Sequence, residues 1–198
     1  MAYQLSTINA SVRTDPAAFL GQCDGAYQKR VEEAADRIIE RLDISPIVLL
    51  SGPSGSGKTT TALKIEEELE RRGIVTHTIS LDNYFKTLNK ATAPRTPEGD
   101  LDFESPLCLD MELLDESFTR LSRGEEVIVP KFEFTRQMRN DAKGRPLRLG
   151  KREVAIFEGI HALGPGIALT RRPPNCIFPP GPMCWRERSR GLRGPGCA

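Results

Sequence analysis

Ile47-Val48-Leu49-Leu50-Ser51-Gly52-Pro53-Ser54-Gly55-Ser56-Gly57-Lys58-Thr59-Thr60 is the stretch that decides the fold of this 198-residue chain. Ile47 to Leu50 is a short unbroken apolar run, which suits a strand buried on both faces. Gly52 to Thr59 fits the pattern G-x-x-x-x-G-K-[ST]. The residues from about Lys58 to Arg72 read as a helix, and Gly73 stands where a helix C-terminal glycine belongs. Each part of the pattern has a physical purpose. Glycines let the backbone turn tightly, so that successive N–H groups face one anion. The helix that follows points its positive end at the same place. Lys58 adds a mobile cation for the outer phosphates of a nucleotide, and Thr59 offers a hydroxyl to Mg²⁺. The candidate nucleotide-binding residues are therefore Gly52, Pro53, Ser54, Gly55, Ser56, Gly57, Lys58, Thr59 and Thr60. A merely flexible Gly/Ser loop is the competing reading, and the strand before and helix after argue against it.

Further elements follow outward from this loop. On its N-terminal side, Asp15-Pro16 marks a helix start, Gly21 and Gly25 are expected to interrupt that helix, and helical spacing returns at Val31, Ala35, Ile38, Ile39 and Leu42. On its C-terminal side, Ile74 to Ile79 reads as a second strand, and a polar loop runs from about Lys86 to Pro106. Asp110 caps a helix through Arg123, with Gly124 closing it. Val127–Val129 is strand-like, as are Phe132–Phe134 and Pro146–Leu149, a pair expected to form a small ribbon. Val154–Phe157 is another buried strand. Alternating strands and helices give the fold class: α/β, a mainly parallel P-loop NTPase-type sheet with flanking helices, expected to be incomplete at its C-terminal end. Three regions are expected: a helical extension over 1–44, a core over 45–164, and an irregular tail over 165–198.

Two acids stand where such a sheet binds its ligand, outside the carboxyl ends of strands. Asp82 lies just past the second strand and can accept a proton from an attacking hydroxyl. Glu158 follows Val154–Phe157 and can hold Mg²⁺ through water. Solvated strand-end acids are the plain alternative for each, and their joint position beside one phosphate loop disfavours it. The Asn-Lys-x-Asp element that reads guanine is absent, since Asn89-Lys90 is followed by Ala91-Thr92.

Composition bounds the rest. Lys and Arg total 28, Asp and Glu 27, a formal net charge of +1, so nothing overall favours a nucleic-acid or membrane partner. No apolar run approaches the roughly 20 residues that span a bilayer, and Met1 to Asn9 lacks the pattern of a secretory signal. Five Cys without a Cys-x-x-Cys pair indicate neither a zinc site nor a disulfide framework, so a reducing cytoplasm is the expected setting. A homo-oligomer is compatible with all of this.

From Ile47 to Leu163 the residues resemble the uridine kinase and phosphoribulokinase family of P-loop kinases. The matching pieces are Gly52–Thr60, Ser80-Leu81-Asp82-Asn83-Tyr84-Phe85, Leu101-Asp102-Phe103-Glu104-Ser105-Pro106, Pro130-Lys131-Phe132-Glu133-Phe134 and Phe157-Glu158-Gly159-Ile160. The resemblance implies ATP and Mg²⁺ as cofactors and transfer of a phosphoryl group to a hydroxyl of a small molecule, a nucleoside first of all. It implies Asp82 as catalytic base and metal-side acid, Lys58 as phosphate ligand, and Thr59 and Glu158 on the metal. Phe85, Phe103, Glu104, Phe132 and Phe134 fall where the family encloses the nucleoside, although core packing is the competing reading for Phe132 and Phe134. Gln137 stands where uridine and cytidine kinases place a base-reading His, a departure that bears on pyrimidine specificity. His161, just past Glu158, is read as structural. Other acceptors, such as a sugar phosphate or pantothenate, remain open, as do a nucleotide-binding fragment without catalysis and a nucleotide-binding regulator.

The family's later strands and Arg-bearing lid have no counterpart in the sequence after Leu163. Residues 165–198 hold six Arg against one Glu and seven of the fifteen Pro. Pro, Arg, Gly, Cys and Trp accumulate there as in coding sequence read out of frame. The expectation is a tail with no strand, foreign to the core, and a weakly active or inactive chain.

Overall fold

The computed structural model describes residues 4–89, 91, 93–164, 167 and 175–177. The central sheet is parallel, with strand order β2-β7-β1-β8: β1 is Ile47–Ser51, β2 Val75–Ser80, β7 Glu153–Gly159 and β8 Asn175–Ile177. Side chains alternate across β1 and β7, and both faces are covered. Ile47, Leu49, Ala155 and Phe157 lie in one core with Leu114, Phe118 and Leu121 of helix α4 (Met111–Ser122). Val48, Leu50, Val154 and Ile156 lie in the other, with Ala62, Ile65 and Leu69 of α3 (Lys58–Arg71). Two-sided burial is why these strands read as continuous apolar runs.

Helix α1 is Leu5–Thr14 and α2 is Pro16–Glu40. Asp15 caps α2, its side chain accepting from the Ala18 N–H at 2.9 Å. The C-terminal half of α2 buries Val31, Ala34, Ala35 and Ile38 in the same core as α3. The Tyr27 and Thr61 hydroxyls meet at 3.1 Å, so α2 also braces the helix that leaves the Gly-rich loop. A polar junction ties the two helices further. Glu68, 5% exposed, accepts from Arg71 and Arg72, both at 2.6 Å, and Arg72 also bonds Asp36 of α2. The Arg71 hydrogen bond leads the causes that hold the Glu68 carboxyl at about 2 against an ordinary 4.5. A depressed folded pKa stabilises above the ordinary value, and that stabilisation is lost as pH falls toward about 2. Glu68→Gln is expected to cost about 1 kcal/mol in urea unfolding at neutral pH. The gap from the parent should close as the pH is lowered through that window; a gap that does not change with pH would discount the ion pair.

Three expectations are corrected. Gly21 and Gly25 do not interrupt the helix, since α2 runs through both. A glycine inside a helix costs about 1 kcal/mol relative to Ala but leaves the backbone hydrogen bonds intact. The expected ribbon is paired differently. Val127–Val129 (β3) pairs antiparallel with Arg145–Leu147 (β6), and Phe132–Glu133 (β4) pairs with Met138–Arg139 (β5). The four residues between β4 and β5 close a tight hairpin, because Gln137 takes a left-handed conformation, φ 53°. Third, the tail is not without a strand: β8 pairs in parallel with β1, Val48 opposite Asn175 through Leu50 opposite Ile177. The edge of β1 away from β7 offers unpaired backbone groups, and an extended segment can satisfy them whatever its side-chain pattern. Ile167 packs against the core. The remainder of 165–198, with its arginines, lies outside the described residues.

Candidate functional site

The site forms where three strands end side by side. Glu158 of β7 is in register with Leu50 of β1 on one side and Ser80 of β2 on the other. Each strand runs straight into a candidate site segment: β1 into the Gly-rich loop, β2 into a 3-10 turn, Leu81–Tyr84, and β7 into Ile160-His161. The close approach of two of these ends depends on Gly159. A Cβ there would meet the Leu81 Cβ at 2.9 Å, so a side chain would push the turn carrying Asp82 away from Glu158.

The loop has the geometry its sequence requires. Gly55 and Gly57 have φ of +70° and +79°, and no atom lies within 4 Å of where a Cβ would stand on either. The Gly57 carbonyl accepts from Thr61 at 2.8 Å and opens α3. Pro53, Ser54, Gly55, Ser56 and Gly57 are exposed, and so are Thr59 and Thr60, while Gly52 is half-buried where the strand ends. Lys58 folds back over the loop, its Nζ donating to the Pro53 carbonyl at 2.8 Å.

The four charged or hydroxylic residues expected in the site come together. Thr59 Oγ1 donates to Glu158 Oε1 at 3.5 Å. Glu158 is 8% exposed, and its carboxyl is pushed up first by burial and then by the negative charge of Asp82. Asp82 is half-buried and likewise pushed up by burial, with Lys58 and His161 opposing the shift. Ser80 was not foreseen. Its hydroxyl accepts from the Asp82 N–H at 3.4 Å, which ties the turn carrying Asp82 to the end of β2, and it favours the ionised form of Glu158. A serine two residues before Asp82, at the last position of the strand, was the available signal.

Among the described residues no group of three His, Cys, Asp or Glu side chains converges as a metal cage. Two carboxylates and a hydroxyl suit Mg²⁺, which keeps several waters and takes few protein oxygens. The raised carboxyls fit the same ion, because the site carries negative charge that burial makes costly and a cation would offset. Open φ-positive glycines beside a lysine fit a polyphosphate in the same way.

The aromatic residues form a second group beside the acids. Phe85 is buried, with ring centroids 5.4 Å from Phe132, 6.0 Å from Phe134 and 6.2 Å from Phe103. Phe132 is buried on β4, but β4 ends at Glu133, so Phe134 falls in the hairpin turn and is 51% exposed. The pair does not share one strand face as the sequence suggested. The Asn83 side chain, next to Asp82, accepts from the Phe132 N–H at 3.4 Å. Arg139 bonds Asp110 at 2.7 Å, which holds the hairpin to the start of α4. Gln137 is half-buried in the turn, its carbonyl accepting from Leu88 at 3.4 Å. Glu104 is exposed, and its carbonyl meets His161 Nε2 at 2.6 Å. No helix among the described residues is long and apolar enough to cross a membrane.

The chain is similar in sequence and fold to known kinases. The uridine kinase of Schizosaccharomyces pombe is 35% identical over 114 residues, 58% of this chain and 24% of that protein. The uridine kinase of Staphylococcus haemolyticus is 31% identical over 117 residues, 59% of this chain and 53% of that one. The chain thus spans about a quarter of the first relative and about half of the second. Among solved structures, a candidate fructose transport system kinase from Silicibacter sp. TM1040 superposes with TM-score 0.55 at 25% identity, covering 69% of this chain and 66% of that one. A possible uridine kinase from Bacillus stearothermophilus gives TM-score 0.52 at 21% identity, covering 67% and 68%, a likeness of fold. A sequence model described as phosphoribulokinase/uridine kinase family matches residues 47–164, the span that holds the loop, both acids and the aromatic group, and the chain belongs to that family.

Proposed function

We propose that this chain carries the catalytic centre of an ATP-dependent kinase that phosphorylates a hydroxyl of a small molecule, with a nucleoside as the first candidate. One observation carries the proposal: Lys58, Thr59, Asp82 and Glu158 converge at the ends of three adjacent strands, beside an aromatic group that includes the half-exposed Phe134. When bound, ATP with Mg²⁺ supplies the transferable phosphoryl group and neutralises its charge. The loop amides and Lys58 hold the phosphates. Thr59 and Glu158 hold the metal side directly or through water. Asp82 orients the acceptor hydroxyl and takes its proton. Phe103 and Phe134 form an apolar wall against which a flat base can lie, backed by the buried Phe85 and Phe132, with Glu104 and Gln137 at its polar margin.

The 25% identity to a candidate fructose transport system kinase supports a second reading, in which the acceptor is a sugar. ADP release should therefore be measured with ATP and Mg²⁺ across uridine, cytidine, adenosine, guanosine and fructose. A nucleoside-dependent rate is the expected result, weak where the tail supplies no lid arginine. A rate with fructose alone would transfer the assignment to sugars, and no acceptor-dependent rate would remove the kinase reading. Gln137→His should reorder kcat/KM among the nucleosides if Gln137 reads the base, and an unchanged order would take Gln137 out of the site.

A further inference from the structure

The acceptor side of this site rests on a loop with little regular structure. Among the described residues between Phe85 and Pro106 the chain makes only an isolated bridge, Arg95 opposite Leu101, yet it carries Phe103 and Glu104. Ordering such a segment costs roughly 1–2 kcal/mol per residue, so it keeps one shape only where it is tied down. Several ties are local. The Asp102 side chain accepts from the Glu104 N–H at 3.0 Å, and the Asp102 carbonyl accepts from Ser105 at 3.3 Å and from Cys108 Sγ at 3.2 Å. Phe103 lies against Phe85 and Phe134. These contacts fix the loop to itself and to the hairpin, both on the acceptor side.

The bond from His161 crosses to the other half of the site. His161 follows β7, three residues past Glu158, and its Nε2 lies 2.6 Å from the Glu104 carbonyl oxygen. A carbonyl only accepts, so Nε2 carries the proton and donates. The bond spans 57 positions in sequence. It is made to the main chain of Glu104 rather than to its carboxylate. Fixing that carbonyl fixes the rotation of the 104–105 peptide, and with it the direction in which the Glu104 side chain leaves the backbone. The imidazole also lies within electrostatic reach of Asp82. A single ring therefore touches the acceptor loop while sitting on the segment that presents the metal-side acid.

We infer that His161 is a positioning residue for the acceptor, a strap from the end of β7 to Glu104 that sets the acceptor loop relative to Asp82 and Glu158. The inference rests on the kinase reading for its catalytic consequence, but the strap can be measured without turnover. On the 198-residue chain, hydrogen exchange should be followed in peptides covering 102–108 for the parent, His161→Ala and His161→Gln. Glutamine places an amide donor near the position of Nε2 without an imidazole. The loop amides should exchange about threefold to tenfold faster in His161→Ala, the loss expected for one hydrogen bond, and near the parent rate in His161→Gln. With uridine as the probe acceptor, KM for uridine should rise by about the same factor in His161→Ala, with kcat and KM for ATP held within about twofold, and His161→Gln should restore it. Unchanged exchange over 102–108 in His161→Ala overturns the strap. So does a KM for ATP that rises as much as KM for uridine, or a Gln variant that behaves like Ala. If the parent shows no acceptor-dependent ADP release, the kinase reading fails, and the exchange comparison still decides the strap by itself.

Discussion

Asp82→Asn is expected to slow phosphoryl transfer about 10²–10⁴-fold while leaving ATP binding close to the parent's. Asparagine keeps the size and hydrogen-bonding reach of the carboxylate but cannot take a proton. The position makes the loss specific. Asp82 is the second residue of the 3-10 turn after β2, its backbone N–H held by Ser80 and its charge facing Lys58. The pH dependence follows from the same surroundings. Burial raises the carboxyl of Asp82, and burial together with Asp82 raises that of Glu158. Transfer that needs both groups ionised should fall on the acid side, with its limb above the ordinary carboxylate range. In Asp82→Asn the residual activity should lose one of the two groups. The limb should then move to lower pH, because Glu158 no longer faces a second anion. Raised carboxyls also bear on folding. A folded pKa above the unfolded one contributes stability below the unfolded value and loses it as pH rises through the folded value. Mg²⁺ should therefore raise the melting temperature more at neutral pH than at a pH where both acids are protonated. Single-turnover ADP formation across pH checks the kinetic claim, and near-normal turnover in Asp82→Asn would place the base elsewhere.

Lys58, Thr59, Asp82 and Glu158 were legible in the sequence because each is tied to a short-range pattern. A phosphate loop needs glycines, a lysine and a hydroxyl at fixed spacing, and an acid that ends an apolar run must stand at the mouth of a parallel sheet. What the sequence hid depended on long-range placement. The His161–Glu104 bond joins residues with no local relation. Gly159 reads as an ordinary strand-end glycine until Leu81 is seen against it. The β4–β5 hairpin escaped because its left-handed residue is Gln137 rather than Gly or Asn, the usual signals of such a turn. Helix α1 was not read although Leu5, Ile8 and Val12 recur at helical spacing; none of its residues is buried, so that face packs into no core. The division of the aromatic group into a buried Phe132 and a half-exposed Phe134 follows from a strand that stops one residue earlier than alternation implied.

Lys58→Ala is expected to weaken binding of ATP with Mg²⁺ about tenfold to hundredfold, the loss of a charge-assisted contact of ~1.5–3 kcal/mol. The lysine is the mobile element of an otherwise backbone-built cradle. Its ammonium reaches back across the loop to the Pro53 carbonyl, so it stands over the concavity formed by the φ-positive Gly55 and Gly57. It is also a cation that favours the ionised forms of both Asp82 and Glu158. Removing it should therefore do two things at once. Nucleotide affinity falls, and the two carboxyls, freed of a nearby positive charge, move further above their ordinary range. In the ligand-free protein the second effect should appear as a larger drop in stability between acid and neutral pH than the parent shows. Lys58→Arg should recover only part of the affinity, because a planar fork cannot reproduce a compact ammonium folded over the loop. Titration calorimetry with ATP and Mg²⁺, on variants whose helical content matches the parent's by circular dichroism, gives the affinities directly. An unchanged affinity in folded Lys58→Ala would mean that nucleotide is not held through this loop, and would withdraw Gly52 to Thr60 as its binding site.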